Sequence, residues 1–107
     1  EVFAAAARHR GTSFIEIFQN CITFHNRTWE TIAGREVRDD RMLFLEHGKP
    51  LVFGKERDKG IRLNGLRLEV VEIGRDVREE DLLVHDVAEP NPAYAYLLTQ
   101  MSHPEFP

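Results

Sequence analysis

Thr12-Ser13-Phe14-Ile15-Glu16-Ile17-Phe18-Gln19-Asn20-Cys21-Ile22-Thr23-Phe24-His25-Asn26 is the stretch around which the rest of the chain is organised. Phe14, Ile15, Ile17 and Phe18 form a short apolar run of aromatic and β-branched residues, the composition of a strand. The run turns polar at Gln19-Asn20 and then presents Cys21, the single cysteine of the chain. Ahead of it, residues 2–10 are alanine-rich and place Val2, Phe3, Ala6 and Ala7 on one face at helical spacing. Gly11 follows where a helix C-cap glycine belongs. Helix, glycine stop, apolar strand and a reactive side chain past the strand's carboxyl end make up the layout of an α/β site. In open α/β sheets, ligands collect outside the carboxyl ends of the strands.

The 107 residues suffice for one domain or part of one, with a modest core. A formal net charge of −4 argues against nucleic acid as a partner, because phosphate binding needs a surplus of Lys and Arg. No run approaches the ~18 apolar residues of a membrane span, and no basic-then-apolar signal peptide is present. One cysteine excludes an internal disulfide and fits a reducing compartment, so the cytoplasm is the expected location. Glu1-Val2-Phe3-Ala4 begins within a helical pattern, with no initiator Met and no strand for that helix to cross over from. A piece of a longer polypeptide is the expectation.

Further along, residues 28–33 read as a short helix capped by Thr28, with Trp29 and Ile32 three apart and Trp29 a packing anchor. Residues 34–41 alternate in charge and read as a solvated connection or helix face. Residues 42–45 and 50–53 are two short apolar segments divided by His47-Gly48-Lys49, and Pro50 marks a strand start or an edge. Residues 55–60 form a charged loop. The sharpest local signal is Ile61-Arg62-Leu63, Asn64-Gly65, Leu66-Arg67-Leu68-Glu69-Val70, with residues 71–73 extending the second strand. Period-two alternation flanks an Asn-Gly pair, which predicts a hairpin with a type I′ turn. Residues 74–81 are again charged loop, and Leu82-Leu83-Val84 reads as a further short strand. The closing helix has Asn91 as N-cap, Pro92 at its first position, Tyr94, Leu97, Leu98 and Met101 on one face, and His103-Pro104 as its end.

Chemistry has few candidates. The histidines His9, His25, His47, His85 and His103 are scattered, without metal-ligand spacing. His85-Asp86 has the composition of an oriented base, but neighbours on a strand point to opposite faces. Glycines occur singly, so no phosphate-cradling loop is present. Cys21 remains. An unpaired cysteine is often a buried, inert thiol, yet this one lies past a strand end among Gln19, Asn20, Thr23 and Asn26, whose groups could donate to a thiolate or to cluster sulfurs. Arg27 is the only positive charge close by in sequence.

Three blocks resemble a known family. Thr12 to Asn26, with Gln19-Asn20-Cys21-Ile22-Thr23-Phe24 at its centre, is similar to the segment after a late strand of the thiamine-diphosphate domain in the β subunit of 2-oxoacid:ferredoxin oxidoreductases. Ala4-Ala5-Ala6-Ala7-Arg8-His9-Arg10-Gly11 resembles that family's helix-into-strand approach. Leu45-Glu46-His47-Gly48-Lys49-Pro50-Leu51-Val52-Phe53-Gly54, and Leu82-Leu83-Val84-His85-Asp86 followed by residues 91–101, resemble the C-terminal extension of the 2-oxoglutarate-type branch.

The resemblance implies an α/β fold. Residues 1–33 would be the last helix–strand unit of a thiamine-diphosphate-binding domain, and residues 34–107 a small α+β extension with a hairpin and a terminal helix, packing against domain and subunits. It also implies a parent enzyme with magnesium, thiamine diphosphate and a 4Fe–4S cluster. That enzyme decarboxylates a 2-oxoacid oxidatively, passes electrons to ferredoxin and leaves the acyl group on coenzyme A, with an α subunit as partner. Cys21 would be one of four ligands to the cluster. The Gly-Asp-Gly…Asn motif that holds magnesium and the diphosphate is absent, as are the other three cysteines. The chain alone is therefore expected to be inactive, to bind no cofactor, and to self-associate through its uncovered apolar faces. The rival reading is a non-enzymatic α+β interaction module in which Cys21 is buried and inert.

Overall fold

The alternation around Asn64-Gly65 does form a hairpin, and the sheet grows from it. The computed structural model describes residues 1–27, 29–75 and 77–102. Its elements are α1 (Val2–Arg8), α2 (Glu30–Ala33), α3 (Arg38–Arg41), β1 (Val52–Phe53), β2 (Lys59–Asn64), β3 (Arg67–Glu72), a 3₁₀ turn (Glu79–Asp81) and α4 (Ala93–Thr99). The strands make one antiparallel sheet in the order β1-β2-β3. Helices and an antiparallel sheet together give the mixed α and β class that the sequence predicts.

The hairpin turn sits one residue later than expected. Asn64 pairs with Arg67, which makes Gly65 and Leu66 the central residues. Of these two only Gly65 takes a positive φ, 63°. That is the type II′ arrangement; type I′ needs positive φ at both positions. Cross-strand charge explains the choice. A turn centred on Asn64-Gly65 would set Arg62 opposite Arg67, whereas the observed register sets Arg62 opposite Glu69 and the two ion-pair. Both registers keep Ile61, Leu63, Leu68 and Val70 on one face, so hydrophobicity does not decide between them.

That face carries the core. Leu51, Phe53, Ile61 and Leu68 are buried, with Leu43, Val70, Leu83, Leu97, Leu98 and Met101 packed around them. Three backbone groups close the cluster: Ile61 N–H donates to Leu51 O (3.0 Å), Leu51 N–H to Leu83 O (2.9 Å) and Leu83 N–H to Ile61 O (2.9 Å). Residues 82–84 therefore lie against both β2 and the approach to β1. They form an isolated Val84–Pro50 bridge in place of the expected strand, because their hydrogen bonds are divided between two neighbours. Gly60 permits this approach: a Cβ there would lie 2.5 Å from Leu82 Cδ1.

α4 follows the sequence closely. The helix starts one residue later than expected: Pro92 is the N-cap and Ala93 the first helical residue, while Asn91 Oδ1 accepts the Ala93 N–H at 3.0 Å from just outside the helix. Leu97, Leu98 and Met101 then reach the core. α4 ends at Thr99 with Gln100 as its C-cap, ahead of the expected stop at His103-Pro104; Thr28 as a cap and the Ile32 side chain lie outside the described residues.

The first thirty residues differ more. α1 ends at Arg8, and its C-cap is His9 in extended conformation, so Gly11 does not cap it. Ser13 Oγ instead donates to Ala6 O at 3.2 Å. The apolar run from Phe14 to Phe18, expected as a strand, carries no regular secondary structure, nor does the rest of residues 12–20. A strand exists only where a neighbour satisfies its peptide groups, and among the described residues the sheet is complete without this stretch. Residues 42–45 likewise join no strand, and β2 begins at Lys59, inside the expected loop. Residues 34–41 are anchored rather than merely solvated. Gly54 N–H donates to Asp39 O (2.9 Å), and Asp40 Oδ1 accepts the Lys55 N–H (3.2 Å) and the Lys59 ammonium (3.3 Å). The Lys55 amide, then Lys59, hold the Asp40 carboxyl below its ordinary range.

Candidate functional site

Cys21 stands at the mouth of a tight turn. Its N–H donates to His25 O at 3.2 Å and its carbonyl accepts the His25 N–H at 2.9 Å, leaving Ile22, Thr23 and Phe24 as the loop. The turn keeps the backbone amides of Phe24, Thr23 and His25 near the Cys21 side chain. Phe24 first, then Thr23, and less strongly His25, hold the thiol below its ordinary pKa against a small opposing effect of burial. The sulfur is exposed, which removes the buried, inert cysteine of the rival reading.

Of the expected neighbours Gln19, Asn20, Thr23 and Asn26, Thr23 acts on the thiol, through its backbone, together with Phe24 and His25. Two of those residues serve Trp29 instead. Gln19 O accepts the indole Nε1–H at 3.2 Å, and Asn20 Oδ1 accepts the Trp29 N–H at 3.4 Å. The Phe18 and Trp29 rings lie 4.7 Å apart, tilted by 39°, so Trp29 is the packing anchor that its residue type predicts. Arg27, with φ 70°, turns its guanidinium to Glu30 at 3.1 Å.

Such a turn can present one thiolate to an electrophile or to a metal. Peptide N–H groups aimed at a cysteine sulfur stabilise its anionic, metal-bound form, and hydrogen bonds to the sulfurs tune iron–sulfur clusters. Among the described residues no group of three or more His, Cys, Asp and Glu could hold a metal ion.

His85-Asp86 does not form a pair of its own. Asp86 Oδ1 lies 3.3 Å from His47 Nδ1, across the contact between the 46–49 turn and the segment after Leu83. Sequence reasoning missed this partner. The available signal was that both residues sit in blocks carrying the resemblance. Among the described residues no helix is long and apolar enough to cross a membrane.

Sequence comparison adds what the geometry cannot supply. The chain is a relative of part of a 2-oxoacid oxidoreductase subunit. The particular relative is the 2-oxoglutarate oxidoreductase subunit KorB of Mycobacterium tuberculosis, with 35% identity over 102 residues, 95% of this chain and 27% of that protein. The chain thus spans about a quarter of the length of the curated relative it matches, 27%. The resemblance carried by the three blocks holds over nearly the whole chain. No protein-family model matches the chain, and no solved structure matches it.

Proposed function

We propose that the chain is the C-terminal part of the β subunit of a 2-oxoglutarate:ferredoxin oxidoreductase, with Cys21 one ligand of a 4Fe–4S cluster completed by cysteines elsewhere in the subunit. The observation that carries this reading is the 35% identity along 95% of the chain. The Cys21 turn supports it: an exposed sulfur faced by three peptide N–H groups suits a thiolate ligand.

When bound, thiamine diphosphate supplies the electron sink for decarboxylation and the cluster a one-electron outlet. The residues here contribute to the second of these. The turn fixes the Cys21 sulfur relative to its own backbone, and its amides lower the cost of negative charge on it. Phe18 and Trp29 brace the approach to the turn. No residue here fits the diphosphate or its magnesium, since the Gly-Asp-Gly…Asn motif is absent. In this reading residues 1–33 close the thiamine domain and residues 34–107 form an extension that packs on the rest of the complex. Coenzyme A, ferredoxin and an α subunit are its partners, in the cytoplasm.

The test is an anaerobic assay of the complete complex for coenzyme A-dependent reduction of ferredoxin or a viologen. Turnover with 2-oxoglutarate well above that with pyruvate is expected. A complex with intact clusters that uses neither 2-oxoacid would overturn the reading.

A further inference from the structure

Two sequence blocks that the proposed function leaves unused meet at one ring nitrogen. His47 lies in the turn before Pro50, and that turn is laced to the segment after Leu83: Gly48 N–H donates to His85 O at 2.8 Å, and His85 N–H to Lys49 O at 2.9 Å. At the tip of this contact His47 Nδ1 has two neighbours, the Val87 N–H and Asp86 Oδ1, both at 3.3 Å. One nitrogen cannot serve both. It accepts the Val87 N–H only as a lone pair, in the neutral ring, and it then faces the Asp86 carboxylate without a proton between them. It donates to Asp86 when Nδ1 carries a hydrogen, in the neutral Nδ1–H tautomer or in the charged ring, and the Val87 N–H then loses its acceptor; charging the ring excludes the Val87 contact altogether.

We propose that His47 is a proton-controlled latch, exchanging the Val87 amide for the Asp86 carboxylate when its ring becomes charged. The charged groups around it are accounted for. Glu46 and Lys49, on its own turn, pair with each other at 2.6 Å. On the facing segment Glu89 Oε1 accepts the Asn91 N–H at 2.9 Å, and His85 is tied to the turn through its backbone. Asp86 Oδ1 already holds the Ala88 N–H at 2.9 Å, so the carboxylate is fixed in place to receive the ring proton. What the latch holds is the rim of a cavity of about 500 Å³ between this segment and α4, lined by Leu51, Leu83, Val87 and Leu98 together with Asp86 and Glu89. Neutral His47 pins Val87 at the rim of that cavity; charged His47 releases its amide.

The test is a pH titration by NMR of the complete subunit, labelled selectively at the histidine rings and valine amides, following the His47 ring protons and the Val87 amide together. The two signals are expected to move with a common midpoint, and the Val87 amide is expected to exchange with solvent faster on the acid side, once intrinsic exchange rates are corrected for. In His47→Gln the Val87 transition disappears. In Asp86→Asn the Val87 transition persists, because the charged ring still cannot accept the Val87 N–H. A Val87 amide indifferent to His47 ionisation, or a Val87 transition that survives His47→Gln unchanged, overturns the proposal.

Discussion

Residues 12–27 and residues 50–85 contain similar apolar side chains and use them in opposite ways. In the second region Leu51 and Ile61 are 1% and 0% exposed, and their backbones close a ring of hydrogen bonds with Leu83. In the first, Phe14, Ile22 and Phe24 are 90%, 86% and 81% exposed, and residues 12–20 form no ladder. The difference does not lie in hydrophobicity. The sheet finds its second layer within the same hundred residues, in residues 82–84 and α4. The N-terminal stretch has the composition of an inner strand and no strand partner among the described residues. An apolar surface of that kind suits a chain that spans 27% of its relative.

Core truncation gives the sharpest contrast. Ile61→Ala should cost about 2–5 kcal/mol in chemical denaturation, because Ile61 is fully enclosed. Phe14→Ala should change stability by no more than about 0.5 kcal/mol. A comparable loss at both sites would break the comparison and show that residues 12–27 are packed.

Gly60→Ala comes next. Its Cβ would meet Leu82 Cδ1 and Cδ2 at 2.5 and 2.6 Å, and overpacking of this kind costs about 1–3 kcal/mol. Paired with Leu82→Ala, which removes the obstructing methyls, the penalty of the Gly60 substitution should shrink. Gly65→Ala should cost about 1 kcal/mol, since φ is 63° and open space surrounds the position. Backbone strain alone is at stake there.

The smallest expected effect is electrostatic. Arg62 first, then Asn64, hold the Glu69 carboxyl below its ordinary pKa. A folded-state pKa below the unfolded value gives a contribution that is fully present above the unfolded value, about 4.3 for Glu. It is lost as pH falls through the folded value. Melting temperature should therefore fall on acidification through this range, and less steeply in Glu69→Gln. An identical acid slope in the variant would remove the cross-strand pair as the reason for the hairpin register.

What could be read from the sequence follows the same division. The hairpin and the apolar face of α4 were legible because each is decided within a few residues of chain. The turn type was not, since Arg62 opposite Glu69 rather than Arg67 is a choice between two registers with the same hydrophobic face. The strand at residues 12–20 was misplaced because composition reports what a segment can do with a neighbour and not whether the neighbour is there. At Cys21, the position past an apolar run pointed to an available thiol. Its actual donors, the amides of Thr23, Phe24 and His25, have no side-chain signature, and the His47–Asp86 contact joins segments too distant for spacing to reveal.

The most direct test of the central claim is the iron–sulfur content of the complete complex carrying Cys21→Ser, purified without oxygen beside the unaltered protein. The account predicts loss or marked alteration of the reduced-cluster electron paramagnetic resonance signal, lower iron per subunit, and loss of 2-oxoglutarate-dependent electron transfer. Full iron, an unchanged signal and unchanged turnover would contradict it and leave Cys21 an exposed thiol on a turn.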